Sequence, residues 1–128
     1  MNRGNHDRGA AVVEFALVVP ILLLLVFGII EFGRLYSIQS SLTAAARNGA
    51  RVMALDNNST AAKAAVTSAA QPYTVAATRI VVTPTSCPTP NTTNASVKVT
   101  VSYPVNLLSG WFGTSITLTG TGVMRCNG

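Results

Sequence analysis

Four carboxylates, one histidine and two cysteines are the side chains among the 128 residues most often used for acid–base work or metal ligation. His6 stands near the N-terminus, and Asp7, Glu14, Glu31 and Asp56 are spread along the chain. No two of these acids have a spacing suited to paired acid–base work. No Gly-rich phosphate loop, metal cluster or nucleophile motif occurs in the sequence. The expectation is a protein that is not an enzyme and that takes no metal and no cofactor. Cys87 and Cys126 lie in the polar C-terminal part, about forty residues apart, and suit a structural bridge better than a redox pair. Outside the cytoplasm such an even pair reads as one disulfide. Closing that loop restricts the unfolded chain by about 3.5–4 kcal/mol in the chain-entropy model. The alternative is two unpaired, small apolar side chains.

Glu14 is the acid in an unexpected place. It interrupts the apolar stretch Ala10–Ile30, which is otherwise broken only by Pro20 and Gly28. As a helix, these residues span about 31 Å, close to the hydrocarbon thickness of a bilayer. A carboxylate deep in a bilayer costs roughly 2.5–3.5 kcal/mol, and less near the interface. One account of Glu14 is a first-turn acid that the helix dipole favours. Arg3 and Arg8 precede the stretch, so the positive-inside bias keeps the N-terminus in the cytoplasm and sends residues after Ile30 outside. The stretch is too long for an ordinary cleaved secretory signal and has no small-residue cleavage site beside its end at Glu31-Phe32-Gly33-Arg34. Pro20 removes one backbone hydrogen bond, which predicts a kink, either harmless or fitting the helix into a bundle.

The helical pattern continues past the apolar stretch. Leu35, Ile38, Leu42, Ala45, Ala46, Gly49, Val52 and Met53 recur at three- and four-residue spacings and form one apolar stripe. One helix is expected over about Ala10–Leu55, its second half amphipathic. The stripe packs either on the chain's own C-terminal part or on copies and relatives, where Ala44, Ala45, Ala46, Gly49 and Ala50 allow close approach. Asp56-Asn57-Asn58-Ser59 ends the pattern, and Asn58 or Ser59 is placed to cap a short helix over Thr60–Gln71.

Three later stretches read as strands. Thr78–Thr83 is rich in Ile and Val. Ala95–Tyr103 alternates strictly, with Val97, Val99, Val101 and Tyr103 on one face. Thr114–Arg125 begins by alternating, with Ile116 and Leu118 opposite Ser115, Thr117 and Thr119, while Gly120 and Gly122 suggest a bulge or an irregular end. The link "NLLSGWFG" is unusually apolar. Leu107, Leu108, Trp111 and Phe112 are expected to close the core beneath the sheet, or else to form a docking patch. A three-stranded meander is marginal alone. Packed on the helix stripe, it gives an α+β fold: a long N-terminal helix, first membrane-spanning and then amphipathic, on a small antiparallel three-stranded sheet. The expected organisation is a leader over 1–9, a span over 10–30, an amphipathic continuation over 31–55 and an extracytoplasmic domain over 56–128.

The formal net charge is +5 with a pI near 9.9, but the basic residues are scattered and none alternates with aromatics. Nucleic-acid binding needs clustered cations, so no nucleic acid is expected as a partner. The sequons at Asn57, Asn58, Asn91 and Asn94 are what an Asn- and Thr-rich chain produces by composition.

A short basic leader, Gly9, a glutamate five residues on at Glu14, Phe15 and then an apolar helix together resemble the type IV prepilin pattern. The stretch Arg8–Arg51, "RGAAVVEFALVVPILLLLVFGIIEFGRLYSIQSSLTAAARNGAR", is similar to the N-terminal signature of the TadE-like family of the tight-adherence (Tad) pilus system. Gly9, Val13-Glu14-Phe15-Ala16, Pro20, Ile30-Glu31, Gly33-Arg34 and the Ala-Ala-Arg stretch carry the likeness, which covers about a third of the chain. No motif in Val52–Gly128 extends it. The resemblance implies a pilin-like fold and a bacterial pseudopilin or minor pilin in the inner membrane. It implies cutting by a prepilin peptidase between Gly9 and Ala10, with membrane lipid, other pilin or pseudopilin subunits and the Tad assembly machinery as partners. Within that expectation Glu14 and Phe15 are the candidates for assembly and register, and Glu31, Leu35, Leu42, Ala46 and Gly49 the candidates for helix packing. The competing reading is an uncleaved single-pass protein that anchors an envelope scaffold or a binding domain.

Overall fold

The computed structural model describes residues 4–90, 94–108, 110, 113 and 115–126, with side chains from Asp7 onward. Helix α1 runs Gly4–Asp56, α2 runs Ser59–Ala69, and a 3-10 turn, Ala77–Arg79, leads into strands β1 (Ile80–Thr83), β2 (Ser96–Asn106) and β3 (Ser115–Arg125). This is the α+β arrangement expected: a long apolar N-terminal helix and a small antiparallel sheet in the order β1-β2-β3. The chain divides into two compact units, Met1–Arg34 and Leu35–Gly128.

The first unit is helical and apolar. Helix α1 starts six residues before the expected Ala10, and Asp7 in its first turn complements the positive end of the helix dipole. Pro20 lies inside the helix without ending it. Large apolar side chains are exposed all around it, from Val12 to Phe32. Such a helix is stable only where lipid or other apolar helices replace water.

In the second unit, α1 ends by a left-handed cap. Asn57 adopts φ 50°, and its N–H donates to Met53 O at 3.0 Å. Asn58 begins α2: its Oδ1 accepts from the N–H groups of Thr60 and Ala61, both at 3.0 Å. Two adjacent asparagines thus stop one helix and start the next.

Strand alternation divides the sheet into two faces. Val97, Val99, Val101 and Val105 of β2 and Ile80 and Val82 of β1 are buried. They pack with Ile38, Leu42, Ala45, Ala46, Ala50 and Met53 of α1 and with Ala62 and Val66 of α2 in one core. The stripe of small residues on α1 is therefore occupied within its own unit, and only Ala44 among them is exposed. Tyr73 and Tyr103 close one side of the core with ring centroids 6.0 Å apart.

The strand β3 corrects one expectation. Gly120 and Gly122 form no bulge: β3 stays in register with β2 throughout, Gly120 opposite Val101 and Gly122 opposite Val99. They face α1, and a Cβ on Gly120 would meet the Leu42 carbonyl carbon at 2.5 Å. One on Gly122 would meet the backbone of Ala46 and Arg47 at 2.5 Å. Glycine is required here by the closeness of two backbones, a contact that local sequence does not reveal.

Gly122→Ala should therefore destabilise the unit by about 1–3 kcal/mol, because backbone rather than a movable side chain stands in the way. Thr121→Ala, on the exposed face, should stay within about 0.5 kcal/mol. Chemical denaturation of the full chain in detergent, followed by circular dichroism, compares the two.

Candidate functional site

The chemically distinctive residues of the first unit lie along one helix. Gly9 and Ala10 are exposed near its start, and a Cβ on Gly9 would meet nothing within 4 Å. Ala10 and Glu14 stand one turn apart on the same face. Glu14 is exposed and Phe15 is 71% exposed. A carboxylate and a large aromatic side chain thus stand open at the head of an apolar helix. Pro20 follows within the helix. At the other end of the unit, Arg34 Nη1 approaches Glu31 Oε1 at 3.5 Å, three residues apart on one helical face. At the unit's margin this pair adds modest electrostatic stability.

The helix-packing candidates divide between the units. Leu35 is half-buried, while Leu42, Ala46 and Gly49 are buried in the core of the second unit. A Cβ on Gly49 would collide with the Val66 side chain and lie 3.1 Å from Ala62 O, so α2 packs directly on the α1 backbone there. These residues hold the unit's own core together.

Cys87 and Cys126 form a disulfide, with Cα atoms 5.6 Å apart and a sequence separation of 39. Both are buried. The bridge ties the loop after β1 to the end of β3, and the Cys126 N–H donates to Ala95 O at 2.9 Å. A partner that sequence reasoning missed joins it. The Asn57 amide Nδ2 donates to Cys87 O at 3.1 Å, and Cys87 N–H donates to Asn57 Oδ1 at 2.5 Å. One side chain thus reads both backbone groups of the cysteine, as a neighbouring strand would. The end of α1, the loop and the C-terminal end of β3 are fastened at one point. The only sequence signal was the doubled asparagine after the helix, and it suggested a cap rather than a clamp.

Leu107 is half-buried and Leu108 is 70% exposed, so Leu108 does not close the core as expected. Trp111 and Phe112 lie outside the described residues.

The arrangement defines a class of protein: an N-terminal helix long and apolar enough to cross a membrane, followed in the chain by a small disulfide-fastened α+β unit. Residues 9–51 match the family model described as TadE-like protein, beginning at Gly9 and taking in Glu14, Pro20, Glu31 and the buried stripe to Arg51. The similarity is confined to that segment, about a third of the chain. No curated protein and no solved structure matches the chain.

Replacing both cysteines by serine should lower the stability of the second unit by about 4 kcal/mol, given the loop the bridge closes. Urea denaturation of the full chain in detergent, oxidised and as the double variant, gives the difference.

Proposed function

We propose that this protein is a pseudopilin or minor pilin of a Tad-type pilus, inserted in the bacterial inner membrane and processed by a prepilin peptidase after Gly9. The observation that carries this reading is the TadE-like match that starts at Gly9 and places Glu14 five residues on in an exposed apolar helix. Arg3 and Arg8 favour an N-terminus held in the cytoplasm, with the α+β unit on the other side. That orientation exposes Cys87 and Cys126 to an oxidising compartment, which agrees with their disulfide.

The proposed role is structural and assembly-related rather than enzymatic. Cleavage after Gly9 would create a cationic amine on Ala10. In a bundle of such helices, the amine of one subunit neutralises Glu14 of a neighbour. An unpaired carboxylate in an apolar bundle is strongly disfavoured, so this pairing would set the axial register between subunits. Phe15 beside it adds apolar area to the same contact.

Intact mass and N-terminal sequencing of the protein from its native membranes test the cut. A start at Ala10, lost in Gly9→Ala, is expected. A Met1 start in both would turn the assignment to an uncleaved membrane-anchored scaffold. Separately, Glu14→Ala should still insert in the membrane and still be cut, yet reach sheared pilus fractions at roughly a tenth or less of the normal level if the pair is worth about 1.4 kcal/mol or more. Normal incorporation of Glu14→Ala would remove the register role while leaving the processing result standing.

A further inference from the structure

Helix α1 and strand β3 advance side by side. Gln39 Nε2 donates to Thr119 O at 2.7 Å. Leu42 lies against Gly120, and Ala46 and Arg47 lie against Gly122. Two strand residues, about 6.8 Å, thus keep pace with each helical turn of about 5.4 Å. Extended by one turn, the same pacing would bring Ala50 and Arg51 level with Met124 and Arg125.

The other side of β3 is a sheet edge. The sheet order is β1-β2-β3, so β3 pairs with β2 along all of Ser115–Arg125 and with no further strand among the described residues. Because Gln39 reaches the Thr119 carbonyl, Thr119 turns its main-chain groups outward. By antiparallel alternation, Thr121, Val123 and Arg125 do the same. Folds usually blunt such an edge with charge, proline or a bulge. From Ser115 to Met124, β3 has no charged residue and no proline, and its register is unbroken. Gln39 covers one carbonyl in the middle of the edge, and the stretch from Thr121 onward lies beyond it.

The surroundings of that stretch are cationic. The three basic and three acidic residues of 1–34 cancel, so the whole net charge of +5 belongs to 35–128, where six basic residues face one acid, Asp56. Gln39, Thr43, Arg47 and Arg51 form a row at four-residue spacing that starts at the edge, and both arginines are exposed. Arg125 ends the strand, with exposed Lys98 diagonal to it across the β2–β3 register. A second copy would bring the same excess of cations to this edge, whereas a strand bearing carboxylates would meet opposite charge on both flanks.

We propose that the edge of β3 at Thr121–Arg125 takes an extended acidic segment of a partner protein as a fourth strand, with Arg47, Arg51 and Arg125 meeting its carboxylates. Main-chain hydrogen bonds supply the affinity and the arginines the selectivity. This assignment stands apart from the pilus reading, since it rests on the charge and topology of the second unit.

Hydrogen exchange on the full chain in lipid nanodiscs tests it with three probes: a synthetic peptide alternating Glu and Val, its Lys/Val counterpart, and inorganic polyphosphate. The Glu/Val peptide should slow exchange across Thr121–Arg125 by roughly tenfold or more, and added salt should weaken the effect. Val123→Pro removes an outward N–H that β2 does not use, and should abolish the protection. The exposed pair Arg47→Glu with Arg51→Glu should weaken peptide affinity by roughly tenfold or more, whatever the fate of the proline variant. No protection by millimolar Glu/Val peptide would overturn the proposal. So would equal protection by the Lys/Val peptide or by polyphosphate, or undiminished affinity in the double arginine variant. Protection that appears without peptide and grows with protein concentration would assign the edge to a second copy instead.

Discussion

The second unit depends on one close approach, between the backbone of α1 and the backbone of β3. Gly120 and Gly122 have no Cβ, so the turns at Leu42 and Ala46 settle directly onto the strand. A helix resting on side chains would stand higher, and the short valines of β2 would then leave a gap. With the glycines in place, the core is built from Val, Ala, Leu, Ile and Met together with the two cysteines. The choice of small residues on α1, Ala45, Ala46, Gly49 and Ala50, follows from the same constraint on the helix side.

A small core of this kind gains little from burial alone, and the chain adds fastening where its ends come together. Asn57 stops α1 in a left-handed turn and at once reaches across to both backbone groups of Cys87. Cys87 is bridged to Cys126, and Cys126 bonds Ala95. The helix end, the loop after β1, the start of β2 and the end of β3 therefore share one knot. Its position opposite the Tyr73–Tyr103 contact holds the sheet at both ends of β2.

Periodicity made most of this fold legible. The three- and four-residue spacing from Leu35 to Met53 marked the buried face of α1, and the alternation through Val97, Val99 and Val101 marked the core face of β2. Both signals are local, because each residue's direction is set by its neighbours in the chain. The features that escaped are all non-local. Gly120 and Gly122 look like strand irregularities until the helix above them is known. The Asn57 clamp joins residues 30 apart in sequence. Leu108 is apolar enough to suggest a core position, yet it is exposed, and nothing in its immediate sequence distinguishes the two. In the first unit, the placing of Gly9, Glu14 and Phe15 on one helix was legible for another reason, since an ordered spacing is something sequence records directly.

The burial pattern also constrains where α1 can meet other subunits. Its small residues in the second unit, Ala44 excepted, are already used against the sheet and α2, so they offer no continuous surface for close helix–helix approach. What the helix leaves exposed there is mostly polar or cationic, including Ser37, Ser40, Arg47, Asn48 and Arg51, with Tyr36, Ala44 and Leu55 as isolated apolar exceptions. Such a face adds little packing energy, and repeated side by side it sets like charges against each other. The apolar side chains from Val12 to Phe32 have no such restriction, and they are exposed on every side. Association of copies through α1 must therefore be driven in the first unit, by packing in an apolar medium. On the pilus reading proposed above, Glu14 is a carboxylate in that apolar segment whose solvation would change on bundling, which would make assembly sensitive to register there. The charge excess of the second unit acts in the opposite sense, holding like units apart and leaving its cationic edge for a partner of different charge.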